Sequence, residues 1–166
     1  RLTGRGGSET ELQKQIDEQT VRLVESTGKY FYALGNVTLE EAVGKILLEK
    51  GATGGFAESC TGGKIAHRIT SVPGSSAYFE GSVVTYSYET KNKILGVKNE
   101  TLEKYGAVSE ETVREMAEGA IRVLGVDYAV AISGIAGPGG GTETKPVGLV
   151  HFAVATKKQT CARHFT

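Results

Sequence analysis

Hydrophobic side chains recur at spacings of three and four in two segments of the chain, one after Thr38 and one after Ser109. This spacing places them on one face of a helix. Thr38 and Ser109 are residue types that cap helix N-termini, and Gly51 and Gly125 follow the last apolar positions of the two segments. The pattern therefore predicts one helix between Thr38 and Gly51 and another between Ser109 and Gly125.

Short runs rich in β-branched and aromatic residues alternate with these helices and predict strands. We expect a short helix at 88–95 and strands at about 53–57, 78–86, 128–132, 147–155 and 160–165. Such alternation is typical of a mainly parallel sheet with helices on both faces. Only residues 156–159 join the last two strands, so one of them should be antiparallel. The predicted fold class is α/β, a three-layer α/β/α arrangement with a mostly parallel, mixed sheet of about five strands, one of them antiparallel.

The first 35 residues have a pattern of their own. Ser8 and Glu11 fit a capping box for a helix, and residues 29–33 are mostly aromatic, which predicts a strand. One helix with extended flanks cannot close a hydrophobic core alone. We therefore expect residues 1–35 to be the remnant of a preceding module or an arm, and residues 36–166 to form the main domain. The chain begins with Arg1 rather than Met, which indicates a piece of something longer.

Charge and composition exclude several classes of protein. The 166 residues carry 19 basic and 19 acidic side chains with no basic stripe, which argues against direct nucleic-acid binding. No run of 18 apolar residues predicts a membrane span, and the first residues lack the apolar core of a signal peptide. The two cysteines do not form a disulfide framework, so we expect a cytoplasmic protein.

The turn after the first predicted strand combines possible nucleophiles with a pair of glycines. It contains Ser59, Cys60, Thr61, Gly62 and Gly63, and a helix is predicted to start at its end. Unpaired N–H groups at a helix N-terminus stabilise negative charge. The turn could therefore hold an anion or a developing oxyanion, or its hydroxyls could simply cap the helix. Its spacing matches neither a phosphate-binding Walker loop nor a nucleophile elbow.

Two further segments end at the edge of the sheet where this turn is expected. The second strand ends at Tyr86 and Ser87, with Lys91 one turn later, and the third ends at Ser133 in a Gly-rich loop. Ligands of open α/β sheets bind at the carboxyl ends of parallel strands. A serine needs a neighbouring base, and no histidine is well placed for that role. Lys91 is the best candidate, provided that burial lowers its pKa from about 10.4 toward about 7.

Six motifs together resemble one known family. They are Ala57–Gly63, Pro73–Ser76, Val84–Ser87 with Lys91, Gly106–Ser109, Ser133–Pro138 and Lys145–Gly148. Their residues and order resemble the CinA C-terminal domain, the nicotinamide mononucleotide amidohydrolase (deamidase) family, over about residues 38–166. The resemblance implies hydrolysis of the carboxamide of nicotinamide mononucleotide to nicotinate mononucleotide and ammonia, as in pyridine nucleotide salvage.

The resemblance also implies roles for individual residues. Ser59 corresponds to the nucleophile, Lys91 to the base, and Tyr86 to a tyrosine that relays protons or orients the lysine. Backbone N–H groups around Thr61 to Gly63 would hold the oxyanion. We expect the substrate to contact Thr61, Gly62, Gly63, Ser76, Ser133, Gly134 and Gly137. No metal and no cofactor is implied, and the expected assembly is a homodimer or a higher homo-oligomer. The family's final helix and its site arginine would lie beyond Thr166.

Three alternatives remain open from the sequence. The first is a non-catalytic nucleotide-binding or regulatory module of a CinA-like competence or damage-inducible protein, because a fold does not guarantee its chemistry. The second is a cysteine hydrolase that uses Cys60. The third is a DNA-processing factor, which the balanced charge disfavours.

Overall fold

The structure, a computed structural model, describes residues 2–166, which divide into two compact units, residues 2–42 and 43–166. The helices are α1 Glu9–Thr27, α2 Leu39–Lys50, α3 Lys64–Thr70, α4 Tyr88–Leu95, α5 Asn99–Tyr105 and α6 Glu110–Leu124, and the strands are β1 Gly54–Glu58, β2 Phe79–Val84, β3 Tyr128–Gly134, β4 Val150–Thr156 and β5 Thr160–Phe165. None of the helices within residues 2–166 is both long and apolar enough to cross a bilayer.

The first unit is built on α1, whose start is capped as predicted. The Glu11 N–H group donates to Ser8 Oγ at 3.3 Å. The predicted strand at 29–33 is wrong: Gly28–Tyr30 is a turn of 3-10 helix, closed by a hydrogen bond from the Phe31 N–H group to the Gly28 carbonyl. Aromatic residues favour a strand only where a neighbouring strand can pair with them, and in this structure residues 29–33 belong to no sheet.

The predicted helices of the second unit are confirmed, and one helix was missed. The α4 and α6 helices have the expected bounds, with Ser87 and Ser109 as side-chain caps. The α5 helix was not predicted because its N-cap, Lys98, makes no side-chain cap hydrogen bond and so gives no start signal. The helix boundaries that could be predicted from the sequence are therefore those marked by a capping side chain.

The sheet has the strand order β2-β1-β3-β4-β5. Strand β1 pairs in parallel with both β2 and β3, whereas β4 is antiparallel to its two neighbours. The mixed α/β sheet with a single reversed strand is therefore confirmed. The carboxyl ends of β1, β2, β3 and β5 lie at one edge, which is where a ligand site is expected.

Small side chains on one face of the sheet let α6 pack closely against it. Ala57, Ala131 and Ala153, from three adjacent strands, are fully buried in the same core cluster as Val113 and Met116 of α6. The α3 helix packs against β1 and β2. Since alternate residues of a strand point to opposite faces, the residues two positions further along each strand face α6 as well.

The α4 helix is held on α6 by a close backbone contact. Leu95, the last residue of α4, lies against Gly119 of α6, and a Cβ at Gly119 would overlap the Leu95 carbonyl group. The Arg122 guanidinium donates to the same carbonyl at 3.0 Å. This contact fixes α4, and with it Lys91, over the sheet.

Candidate active site

Ser59 is fixed by the strands on both sides of β1. It follows the last residue of β1 directly, and its N–H group donates to the Ile132 carbonyl of β3 at 3.1 Å. On the other side, the Thr85 N–H group donates to the Glu58 carbonyl at 2.9 Å. Ser59 is buried. The sheet therefore positions its hydroxyl group at the carboxyl edge.

Lys91 reaches this hydroxyl group from α4. The helix starts with a capping box between Ser87 and Thr90, which sets the direction of its first turn. The Lys91 side chain is fully buried, and its Nζ lies 2.9 Å from Ser59 Oγ. It also lies 2.7 Å from the Thr85 carbonyl oxygen and 3.3 Å from the Tyr86 carbonyl oxygen.

Burial lowers the pKa of Lys91 to about 8, and the neighbouring Cys60 thiol acts weakly in the opposite direction. Desolvation has this effect because the charged form of an amine is disfavoured away from water. A neutral amine has two N–H groups and one lone pair. The carbonyls of Thr85 and Tyr86 match the two N–H groups, so the lone pair is left for the proton of Ser59 Oγ. The arrangement can therefore make Lys91 a general base for Ser59.

The Glu58 carboxylate occupies the N-terminus of α3. It accepts hydrogen bonds from the N–H groups of Gly63 at 3.0 Å, Ile65 at 3.1 Å and Ala66 at 2.9 Å, and from Ser82 Oγ at 3.2 Å. Burial raises the pKa of Glu58, but hydrogen bonds to the carboxylate outweigh it, so the pKa lies below its ordinary value. Glu58 is thus a buried, ionised side chain that ties α3 to β2.

The expectation of unpaired N–H groups in the turn is wrong for both glycines. Gly63 donates to Glu58, and the Gly62 N–H group donates to the Ser59 carbonyl at 3.1 Å. Their positive φ angles, 58° and 95°, serve the turn itself. Within residues 2–166, the N–H groups of Cys60 and Thr61 donate to no backbone carbonyl. Unlike those of the glycines, these two groups have no backbone acceptor, and both lie close to the Cys60 sulfur.

The Cys60 thiol has the properties of a protonated side chain. Burial raises its pKa. This effect exceeds the opposing effects of the N–H groups of Cys60 and Thr61 and of the Lys91 charge. The thiolate is the reactive form of cysteine. The site therefore favours the serine hydroxyl, which has a base at 2.9 Å, over the thiol.

The remaining predicted site residues are not all at this edge. Tyr86 accepts a hydrogen bond from Lys91 through its carbonyl oxygen, and the residue is 74% exposed. Ser133 is buried beside Ser59 at the end of β3. Ser76 lies in the 3-10 turn before β2, at the opposite edge of the sheet, and the structure does not bring it to Ser59. A residue that precedes a parallel strand cannot reach the edge where that strand ends.

Gly134 and Gly137, at and just after the end of β3, allow close packing of the backbone. A Cβ at Gly134 would lie 2.8 Å from the Leu149 carbonyl oxygen, and a Cβ at Gly137 would lie 2.6 Å from Cγ1 of Val147. Both positions keep the loop after β3 close to residues 147–149. They shape the edge of the site without presenting a side chain to it.

Sequence reasoning missed Glu58 and Thr85. Glu58 lies in an otherwise apolar strand, and a carboxylate there signals a buried partner such as a helix N-terminus. Thr85 contributes its carbonyl group, which no sequence pattern reveals. Within residues 2–166, no group of three or more His, Cys, Asp or Glu side chains could hold a metal ion.

The profile of the family described as "CinA C-terminal domain" matches residues 36–166. A CinA-like protein from Chloroherpeton thalassium is 48% identical over 165 residues, which are 99% of this chain and 39% of that protein. The chain thus spans about two fifths of the length of that curated relative.

Two solved structures are also similar. One is the competence/damage inducible protein CihA from Agrobacterium tumefaciens, with 42% identity, a TM-score of 0.74, and coverage of 76% of this chain and 77% of that one. The other is a competence-damaged protein (CinA) superfamily protein from Escherichia coli, with 34% identity, a TM-score of 0.74 and coverage of 84% of each chain.

Proposed function

The chain belongs to the CinA C-terminal domain family, and on that premise we propose that it hydrolyses the carboxamide of nicotinamide mononucleotide to nicotinate mononucleotide and ammonia. One observation carries the proposal: the buried Lys91 amine lies 2.9 Å from Ser59 Oγ and has carbonyl partners for its N–H groups. A surface lysine would have neither the burial nor the lowered pKa.

In the first half of the proposed reaction, Ser59 Oγ attacks the amide carbon and its proton passes to the Lys91 amine. The carbonyl oxygen becomes an oxyanion, which the N–H groups of Cys60 and Thr61 stabilise. The Lys91 ammonium then donates its proton to the amide nitrogen. The C–N bond breaks, ammonia leaves, and the acyl group remains on Ser59 as an ester.

In the second half, a water molecule attacks the ester carbonyl and Lys91 again accepts a proton. The bond to Ser59 Oγ breaks, and the serine recovers its proton from Lys91. The product is the carboxylic acid of the nucleotide. Every proton passes through one amine, so that amine must alternate between neutral and charged forms. A pKa of about 8 allows this near neutral pH.

The alternative of a non-catalytic module that holds a phosphate on the glycine turn is less well supported. The Glu58 carboxylate already accepts the N–H groups that would bind such a phosphate, and its charge would repel the anion. The free thiols of Cys60 and Cys161 suit a reducing cytoplasm, which we include in the proposal.

The test is release of ammonia from nicotinamide mononucleotide by this chain and by its Lys91→Ala variant. We expect ammonia from the wild type and loss of nearly all of it in the variant. Absence of ammonia release by the wild type, with the nucleotide still bound, would favour the non-catalytic alternative instead.

A further inference from the structure

Glu58 holds both ends of the turn that carries Ser59. Its backbone leads into the turn, because Ser59 is the next residue in the chain. Its carboxylate accepts hydrogen bonds from the N–H groups of Gly63, Ile65 and Ala66, at the far end of the turn. The residues between these two points are therefore enclosed in a ring that the Glu58 side chain closes.

The Glu58 side chain and the Ser59 hydroxyl group lie on opposite faces of the sheet, since consecutive residues of an extended segment alternate. Ser59 Oγ lies 2.9 Å from Lys91 Nζ on the face of α4. The fully buried Glu58 carboxylate lies on the face of α3, where it also accepts a hydrogen bond from Ser82 at 3.2 Å. Glu58 can therefore influence the reaction through the turn, without touching the substrate.

The turn itself has few internal restraints. Its own backbone hydrogen bonds join the Gly62 N–H group to the Ser59 carbonyl at 3.1 Å and the Lys64 N–H group to the Thr61 carbonyl at 3.0 Å. A glycine backbone loses more conformational entropy on ordering than that of any other residue, and this turn contains two glycines in succession. A single conformation of the turn therefore depends on contacts at its ends.

The contact at the far end is strong because the carboxylate is ionised. Hydrogen bonds to the carboxylate keep the pKa of Glu58 below its ordinary value despite burial. Hydrogen bonds to an ionised acceptor are roughly twice as strong as those between neutral groups. At neutral pH the ring is therefore closed by three charge-assisted bonds to backbone N–H groups.

We propose that Glu58 is a positioning residue for amide hydrolysis: its carboxylate holds the turn so that the N–H groups of Cys60 and Thr61 meet the oxyanion that forms at Ser59. The inference rests on the proposed function for the reaction, and on the contacts of the carboxylate for the geometry of the turn. A misplacement of about 1 Å can lower a rate by roughly a hundredfold, so a flexible turn would be a poor oxyanion site.

The first experiment compares amide hydrogen exchange, measured by NMR, in the wild type and in Glu58→Gln. The Gly62 N–H group does not touch the carboxylate but lies inside the ring, whereas the Thr85 N–H group donates to the Glu58 carbonyl in the sheet. We expect Gly62 to exchange roughly tenfold faster relative to Thr85 in the variant, because local opening of the turn leaves the sheet intact. An unchanged ratio of the two exchange rates would overturn the positioning role.

Two further variants accompany this measurement. Glu80→Gln, at an exposed position of β2, should leave the ratio of exchange rates as it is in the wild type. Ser82→Ala removes one donor from the same carboxylate and is the milder test if Glu58→Gln does not fold. We expect a smaller increase of Gly62 exchange in Ser82→Ala, and equal rates in Ser82→Ala and the wild type would count against the ring.

The second experiment measures kcat and KM for nicotinamide mononucleotide, at a temperature where the variant is folded. We expect Glu58→Gln to lower kcat roughly 10- to 100-fold with little change in KM, because the oxyanion contact exists only in the transition state. The pH midpoint of kcat/KM should stay at about 8, since desolvation and the Cys60 thiol determine the pKa of Lys91.

Two outcomes of the kinetic experiment would contradict the inference. One is an unchanged kcat. The other is a shifted pH midpoint, which would show that Glu58 acts through the charge of Lys91 rather than through the turn. If the wild type releases no ammonia, the proposed function fails, while the exchange of Gly62 still decides whether Glu58 holds the turn.

Discussion

The amine of Lys91 and the hydroxyl group of Ser59 are 2.9 Å apart in a buried setting where no carboxylate contributes to the pKa of the lysine. The two residues are 32 positions apart in the chain and come together because β1 and β2 are parallel neighbours. An ion pair would keep the amine charged. Desolvation without an ion pair keeps it available as a base, so the pair has a defined dependence on pH.

The first prediction is that ammonia release rises with pH and levels off above about 8. The neutral amine is the active form, and it predominates above the pKa of Lys91, which is about 8. At pH 7 about a tenth of the sites are neutral, since each pH unit below the pKa is a factor of ten. The measurement is kcat/KM from pH 6 to pH 10. A profile that is flat across this range would contradict Lys91 as the base.

The second prediction concerns variants of α4. Lys91→Ala should lower kcat by roughly 10²- to 10⁴-fold, the usual contribution of a general base. Lys93→Ala is the matched control on the same helix. Lys93 is exposed and pairs with Glu89 at 2.6 Å, an interaction that contributes less than about 1 kcal/mol. Equal losses in the two variants would show a general effect on the helix rather than a role of the Lys91 amine.

The third prediction separates the serine from its neighbouring thiol. Ser59→Ala should abolish ammonia release, whereas Cys60→Ala should retain most of it, because burial raises the pKa of Cys60 and keeps the thiol protonated. Circular dichroism checks that both variants are folded. The opposite order of activities would identify the site as a cysteine hydrolase.

The meeting of Ser59 and Lys91 could be predicted from the sequence, because both follow strands that end at the same edge of a parallel sheet. The distance between the two side chains depends on where α4 starts, and the sequence indicates that start through the capping residue Ser87. Ser76 was misplaced because its motif was matched by family resemblance alone, without regard to the edge at which it lies. The predicted strand at 29–33 failed because β propensity requires a partner strand.

A carboxylate in an otherwise apolar strand indicates that Glu58 has a buried partner, but the sequence does not show which groups those partners are. Its partners come from α3 and from Ser82 of β2, which lies 24 residues away. Such a contact depends on the register of two strands, which the sequence does not display.

The fourth prediction is that Glu58→Gln lowers stability at neutral pH by about 2 kcal/mol, because an amide cannot accept hydrogen bonds on both of its terminal atoms. The pKa of Glu58 is lower in the folded state than its ordinary value. Its contribution to stability is therefore present above the ordinary pKa and is lost as the pH falls through the folded value. Urea unfolding at several pH values should show a weaker acid dependence in the variant. Glu80→Gln, at an exposed position of β2, is the control; a loss of the same size there would contradict the role of Glu58.

The fifth prediction tests the contact that holds α4 over the sheet. Replacing a helix-interior glycine by alanine normally stabilises a helix by about 1 kcal/mol. Gly119→Ala should do the opposite, because its Cβ would overlap the Leu95 carbonyl and force α4 away from α6. We expect a loss of about 2 kcal/mol, as for other overpacked cores, measured by urea unfolding, and lower ammonia release because Lys91 moves with α4. Gly139→Ala is the control, since a Cβ there meets nothing within 4 Å. Stabilisation by Gly119→Ala would show that α4 adjusts without cost and that this contact does not set the position of Lys91.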